Sequence, residues 1–297
     1  MAYRLLLDTS SLAYRAFFAL PASITAPDGQ PVNAVRGYLD MTARLVADLG
    51  PDQVLHVFDD DWRPAPRVAA YAGYKAARAP DPDGLSPQFD LLRQVLGALG
   101  QAVVIAPGWE ADDAIGTLCA QVAPGDRADI VTGDRDLLQL VRDGSVRVLF
   151  TVKGVRRLAS FDEAAVRAEY GVAPSRYADF ATLRGDPSDG LPGVRGIGGK
   201  TAATLVNQYD TIEAMVADAG AHPPRLAAAL RDAAGYLAAM RHVVPVRTDA
   251  ELVTEAGMRD DARLQALQET HNLSGPIRRL CGALDASPGQ EAASGEP

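Results

Sequence analysis

Nine carboxylates stand where acids meet breaks between regular elements: Asp8, Asp59, Glu110, Asp112, Asp113, Asp134, Asp136, Asp186 and Asp189. The densest stretch is PGWEADDAIGTL, residues 107–118. It follows the apolar run Ala102-Val103-Val104-Ile105-Ala106, which reads as a buried strand broken by Pro107-Gly108. Apolar spacing at Ala111, Ala114, Ile115, Leu118 and Cys119 then predicts a helix, with Glu110, Asp112 and Asp113 in or beside its first turn. A helix N-terminus favours negative charge, which accounts for one or two acids. It does not account for Asp8, Asp59 and Asp134, each at or just past the carboxyl end of another strand-like run. So many like charges would repel severely without cations, so the sequence predicts bound metal. Oxygen donors with no cysteine or histidine partner suit a hard cation, Mg²⁺ or Mn²⁺. Two such ions ~4 Å apart could polarise a phosphodiester, generate hydroxide and stabilise the leaving oxygen.

Two further stretches carry chemistry. In GDPSDG, Asp186 and Asp189 are three apart, and both project to one side if Pro187 opens a helical turn. They could complete a second ion's shell; the alternative is an Asp-rich turn with Asp186 as a cap. The loop GVRGIGGKT, residues 193–201, has glycines at 193, 196, 198 and 199 but follows a helical region and not a strand. That context excludes a dinucleotide fingerprint or P-loop. Glycines ahead of a helix let backbone N–H groups approach a phosphate, with Lys200 as a point charge. Between two helices this reads as a helix–hairpin–helix-type grip on a nucleic-acid backbone, against a plain glycine-rich connector.

The elements that must position these residues alternate. Strand-like runs at Tyr3–Leu7, Gln53–Phe58, Val103–Ala106, Ala128–Thr132 and Val146–Phe150, with a short partner at Val155–Leu158, are separated by helical stretches. The helices are LAYRAFFAL, Val32–Leu49, Phe89–Leu99, one after Glu110 and LLQLV. This order predicts an α/β fold with a mostly parallel sheet flanked by helices, whose strand ends meet in one crevice. From Asp60 to Ser86 the pattern dissolves into a long loop or loosely helical excursion carrying Arg63, Arg67, Lys75 and Arg78. After about residue 160 helices dominate: Phe161–Tyr170, Arg176–Leu183, Lys200–Tyr209, Thr211–Ala219 and Pro224–Met240. A strand-like run, His242–Val246, precedes a weaker helical tail, and residues 287–297 read as disordered.

Composition narrows the class. The chain has 297 residues, 47% hydrophobic and 23% charged, enough to bury a core and too little charge for bulk disorder. The net charge of −9 argues, taken alone, against a nucleic-acid partner. It is a poor guide when acids cluster at one site and bases at another. Of 29 basic residues only Lys75, Lys153 and Lys200 are lysine. Cys119 and Cys281 make no metal-ligand spacing, so reduced thiols in a cytoplasmic protein are expected. There is no secretory cleavage pattern and no apolar run of membrane-spanning length.

The stretches LLLDTSSLAYRAFFAL, VLHVFDDD, AYAGYKAARAP, PGWEADDAIGTL, IVTGDRDLLQL and LRGDPSDGLPGVRGIGGKTA occur in that order. Together the chain resembles the 5′-nuclease family: flap endonucleases, phage 5′-exonucleases and the 5′–3′ exonuclease domain of bacterial family A DNA polymerases, here in stand-alone form. The resemblance implies a PIN-like catalytic domain over residues 1–160 with a helical arch at about 62–88. It implies a helix-three-turn-helix DNA-binding region over 161–245 and a C-terminal extension, 246–286, packing on the core. It places Asp8, Asp59, Glu110, Asp112 and Asp134 around a first metal and Asp136, Asp186 and Asp189 around a second, with Asp113 as an accompanying metal-site acid. It makes Lys75 and Arg78 the catalytic basic pair of the arch. Tyr14, Arg15, Arg67, Gly193, Gly196, Ile197, Gly198, Gly199, Lys200 and Thr201 match DNA contacts, with a monovalent cation such as K⁺ at the 193–201 loop. The implied substrate is DNA with a 5′-flap, gap or free 5′ end, RNA-primed in replication, cut by a monomer with no membrane association.

Two positions depart from the family. Thr9 follows the first aspartate where glycine is usual, and Gly190 follows the Asp186/Asp189 pair where asparagine is usual. Neither removes a carboxylate. Two rival readings remain in view. A DNA-binding protein without catalysis should have lost acids or Lys75, and a Mg²⁺-dependent phosphatase has no use for residues 193–200 or a long basic excursion.

Overall fold

In the computed structural model, which describes residues 1–287, alternating elements build a sheet with helices on both faces. The first half runs β1 (Tyr3–Asp8), α1 (Thr9–Ala19), α2 (Asn33–Leu49), β2 (Gln53–Val57), α3 (Ala65–Ala70), α4 (Ser86–Ala98), β3 (Ala102–Ile105), α5 (Ala111–Ala120), β4 (Arg127–Thr132), β5 (Val146–Thr151) and β6 (Leu158–Phe161). The second half is α6 (Glu163–Tyr170), α7 (Tyr177–Arg184), α8 (Gly199–Gln208), α9 (Ile212–Ala217), α10 (Pro224–Asp232) and α11 (Ala234–Met240). The chain then adds β7 (Val253–Glu255), α12 (Asp261–His271) and α13 (Ser274–Asp285).

The seven strands are ordered β6-β5-β4-β1-β2-β3-β7. β1 pairs in parallel with both β2 and β4, and β5 and β3 extend the sheet in parallel on either side. The antiparallel β6 and β7 close the two edges. Leu5 and Leu7 of β1 point into one core with Leu12, Tyr38, Leu39 and Ile277, while Leu6 points into the other with Val57, Ile115 and Ile130. A sheet covered on both faces needs such continuous apolar strands. The second core continues without a break into α7, α8 and α11 through Tyr177, Leu183, Leu205 and Met240. Because β1 leads toward β2 on one side and is flanked by β4 on the other, a crevice opens where their carboxyl ends diverge.

Several elements differ from the sequence pattern. The Val155–Leu158 strand lies instead at Leu158–Phe161, and helix α6 begins only at Glu163, capped by Asp162. LLQLV forms a 3₁₀ turn over Asp136–Leu140. The run at His242–Val246 is not a strand: the carbonyls of Val243 and Pro245 accept from Arg67, so its backbone serves a side chain and no ladder. β7, too short and polar to show a period, is the edge strand in its place. The tail expected over 287–297 begins with a packed residue, since the buried Ser287 hydroxyl donates to the Pro51 carbonyl at 2.9 Å. The rest of that segment lies outside the described residues. Among the described residues no helix is long and apolar enough to cross a membrane.

Candidate active site

The crevice is stitched together by the acids that line it. Asp8 ends β1 and caps α1: one carboxylate oxygen accepts from the Ser11 N–H at 3.1 Å, the other from the Thr132 hydroxyl at 2.6 Å. Thr132 ends β4, and its Oγ1 also accepts the Asp134 N–H at 2.8 Å. One threonine, which the acid pattern did not single out, therefore joins two strand-end acids across the switch point. Asp59, past the end of β2, accepts the Ala111 N–H at 2.7 Å and so holds the start of α5. Asp134 accepts the Asp136 N–H at 2.8 Å. Across the crevice Asp186 caps a 3₁₀ turn, accepting the Ser188 N–H at 2.9 Å, and Asp189 ends that turn. The capping role of Asp186 and its place at the crevice thus hold together.

Glu110 is 4% exposed and heavily engaged: Tyr74 donates to it at 2.6 Å, and Arg67 and Lys75 form ion pairs with it. Asp113, expected among the metal-site acids, is engaged on the core side of α5. It is fully buried, accepts both guanidinium arms of Arg67 at 2.8 Å and the Arg247 N–H at 2.9 Å, and completes a capping box with Glu110. Arg67, expected as a DNA contact, is 3% exposed and bound to Glu110, Asp113 and the carbonyls of Val243 and Pro245.

The excursion is not a uniform helix. After α3 it turns back on itself, and Lys75 adopts a left-handed φ of 51°. Its N–H donates to the Asp189 carbonyl at 2.9 Å and its ammonium lies 4.0 Å from the Asp189 carboxylate. Lys75 and Arg78 therefore do not share a face: Lys75 is buried among acids, while Arg78 is exposed and faces the Trp62 ring. Gly190 explains how this docking is possible. It has φ +72°, and a Cβ there would come within 2.6 Å of the Gly73 carbonyl oxygen. An asparagine tolerates that φ but not that contact, so Gly190 tightens the turn that holds Asp189. Gly190→Asn is expected to cost about 1–3 kcal/mol of stability, as overpacking does; an unchanged urea midpoint would show that the two loops do not press together.

The glycine loop is only partly open. Gly193 has φ +66°, its N–H donates to the Tyr236 hydroxyl at 3.2 Å, and a Cβ would meet the Arg184 carbonyl at 2.6 Å. Ile197 is 5% exposed. Gly193 is half-buried and the Ile197 side chain packs inward, so any approach of these two residues to DNA would be through the backbone. Gly196, Gly198 and Lys200 are exposed, and Gly199 and Thr201 are half-buried at the start of α8. Tyr14 is 40% exposed on α1, 5.0 Å from the Phe18 ring. Arg15 donates to the Gly133 carbonyl at 3.2 Å and so braces the turn before Asp134.

Crowding shows in the acidities. Burial, then the Asp59 charge, push Asp8 up to about 7 against the pull of the Thr132 hydrogen bond. Burial raises Asp112 well above the carboxylate range, reinforced by Asp134, Asp8 and Glu110. Asp136 rises likewise beside Asp134, Asp189 and Asp186, and Asp189 reaches about 6 despite Lys75. Burial works against the Lys75 charge, but Glu110 and Asp189 outweigh it and hold the ammonium above its ordinary range. Among the described residues no three Asp, Glu, His or Cys side chains enclose a single ion-sized point as they stand. Their oxygens are drawn instead to Thr132, Lys75 and backbone N–H groups. The donor set nonetheless fits a divalent cation: the donors are all oxygen, and Asp8, Asp112, Asp136 and Asp189 are held protonated to higher pH by burial first and by neighbouring carboxylates next, a repulsion that a cation relieves.

Residues 4–171 match the family described as "5′-3′ exonuclease, N-terminal resolvase-like domain", and residues 172–269 its "C-terminal SAM fold". The chain belongs to the 5′–3′ exonuclease family, nucleases that hydrolyse phosphodiester bonds. It is 49% identical to a 5′-3′ exonuclease of Streptomyces coelicolor over 95% of this chain and 100% of that one. It is 41% identical to a 5′-3′ exonuclease of Mycobacterium tuberculosis, covering 96% and 98%. It is also 42% identical to DNA polymerase I of Mycobacterium bovis, covering 95% of this chain and 30% of the polymerase. The fold is similar to the T5 D15 protein co-crystallised with metal ions (TM-score 0.65, 14% identity, 95% and 98% covered). It is also similar to the catalytic core of Rad2 in complex with DNA (TM-score 0.56, 17% identity, 96% and 92% covered).

Proposed function

We propose that this chain hydrolyses DNA phosphodiesters at 5′-flaps, gaps and free 5′ ends with divalent metal, Mg²⁺ or Mn²⁺, in replication and repair. The observation that carries the reading is the convergence of Asp8, Asp59, Glu110, Asp112, Asp134, Asp136, Asp186 and Asp189 on one crevice, with a buried lysine among them. T5 D15 is described with metal ions, and T5 D15 and Rad2 with DNA, which supports the same two ligands here. Asp8, Asp59, Glu110, Asp112 and Asp134 would hold one cation and Asp136, Asp186 and Asp189 a second. When bound, such ions polarise the phosphodiester and supply hydroxide at neutral pH.

The protein's own residues do the positioning. Thr132 fixes Asp8 relative to Asp134, and Asp59 fixes α5 and hence Asp112. Lys75 reaches into the acid cluster from the excursion, where a cation next to the scissile phosphate favours the developing negative charge. Gly196, Gly198 and Lys200, all exposed, would offer N–H groups and charge to the duplex backbone. Asp113 accepts the Glu110 N–H and shares Arg67 with it, and so supports Glu110 from the core side.

The direct test is a labelled 5′-flap duplex incubated with Mn²⁺ or with EDTA. Release of the flap with Mn²⁺ and none with EDTA is expected; intact flap under both conditions would overturn the reading. Lys75→Ala is expected to lower the single-turnover rate ~10- to 1,000-fold with a smaller change in affinity. Normal cleavage at saturating enzyme would reduce Lys75 to a structural partner of Glu110.

A further inference from the structure

Trp62 is 48% exposed, one of seven large hydrophobic side chains so placed among the described residues. It sits three residues past Asp59, one of the acids of the crevice. Its surroundings are firm. The N–H groups of Asp60 and Asp61 both donate to the Trp109 carbonyl, at 3.2 and 3.1 Å. On the other side Arg63 donates to the carbonyls of Tyr74 and Ala72, at 2.7 and 2.9 Å. The segment carrying the ring is thus tied by its backbone to the loop before α5 and by the Arg63 side chain to residues 72 and 74, and the Arg78 guanidinium lies over the ring, 5.9 Å from its centroid.

We infer that Trp62, with Arg78 beside it, is a stacking platform for an unpaired nucleobase of the strand entering the crevice. The inference rests on the nuclease reading above and names a contact within it. An exposed indole on a rigid support, with a cation at its side, matches a single-stranded nucleic acid: the base stacks on the ring and the guanidinium meets the phosphate or the base face. A protein partner would need a contiguous apolar patch. The sequence neighbours of Trp62 on either side, Asp60, Asp61 and Arg63, are charged, as is Arg78 at its ring, and no other large hydrophobic side chain among the exposed ones lies in this excursion. Stacking tolerates any base, so the contact would favour unpaired over paired DNA without reading sequence.

The test uses full-length protein carrying Asp134→Asn, so that bound DNA is not cut. Affinity is measured by anisotropy for a 5′-flap duplex and for the same duplex with abasic residues throughout the flap. Trp62→Ala is expected to weaken flap binding ~5- to 100-fold, and Trp62→Phe to recover most of it. The abasic flap should bind the Trp62 protein more weakly while the Trp62→Ala protein barely distinguishes the two DNAs. An unchanged affinity in Trp62→Ala, or the same loss on the abasic flap with and without the indole, overturns the platform. Failure of the Trp62-containing protein to bind either DNA, together with failure of the wild type to cut, overturns the nuclease reading itself.

Discussion

Asp134→Asn is expected to bring flap cleavage below ~1% of the wild-type rate, a loss of about 3 kcal/mol or more in the transition state, while flap affinity stays nearly constant. The carboxamide preserves the shape of the side chain and can still accept the Asp136 N–H, so the turn survives. What is lost is a negative oxygen in a cluster whose role is to concentrate charge. Removing that charge does not weaken attraction to phosphate. Asp112→Asn should behave alike, because burial and three neighbouring acids already act on the same carboxylate. Single-turnover cleavage and binding, measured on one substrate, separate the two effects. A variant retaining a tenth of the wild-type rate would remove that acid from the essential set.

Arg67→Met is expected to destabilise the protein by about 3–5 kcal/mol, the usual result of leaving buried charges without their partner. Asp113 is fully buried and Glu110 nearly so, and a methionine fills the volume but answers neither carboxylate. The same change frees the Val243 carbonyl, so the segment after α11 loosens from the start of α5. Urea unfolding monitored by circular dichroism measures the loss directly. Pairing the change with Asp113→Leu should recover part of the stability, since apolar replacement of both partners is tolerated better than removal of one. A deficit under ~1 kcal/mol for the single change would mean the network is solvated and Glu110 is positioned by Tyr74 and Lys75 alone.

The parallel sheet and the strand-end acids were legible because both are local: apolar runs of strand length, each followed by an acid and a helix start. The boundary between acids facing the crevice and acids facing the core was not. Asp112 and Asp113 are neighbours of the same type, and only the Glu110-x-x-Asp113 spacing, a capping-box pattern at a helix start, hinted that Asp113 turns inward. Arg67 lay in a polar, proline-rich stretch that reads as solvated, and nothing local marks its burial. The separation of Lys75 from Arg78 depends on a left-handed backbone at Lys75, and that conformation is set by contact with residues 189–190, more than a hundred positions away. Tertiary contacts of this range leave no period in the sequence. Thr9, one of the two departures from the family pattern, has a local counterpart that also went unseen: its hydroxyl lies 3.0 Å from the Tyr38 hydroxyl, which in turn meets His56 Nδ1 at 2.7 Å. Burial pushes His56 down to about 3, so this imidazole stays neutral.

β7 has a consequence for how the chain can be shortened. Its three residues pair with Val103, Val104 and Ile105, the outermost parallel strand. Without that cover, a flat apolar strand would present open N–H and C=O groups, a template on which a second molecule could add. Ending the protein before β7, after the Arg247 contact with Asp113, would keep the residues that hold Arg67 and Glu110 but would open this strand edge, along with the core face that α13 covers. β7, with Glu255 paired to Arg93 at 3.3 Å, thus covers an edge on which another chain could otherwise add, far from the acids of the crevice in sequence.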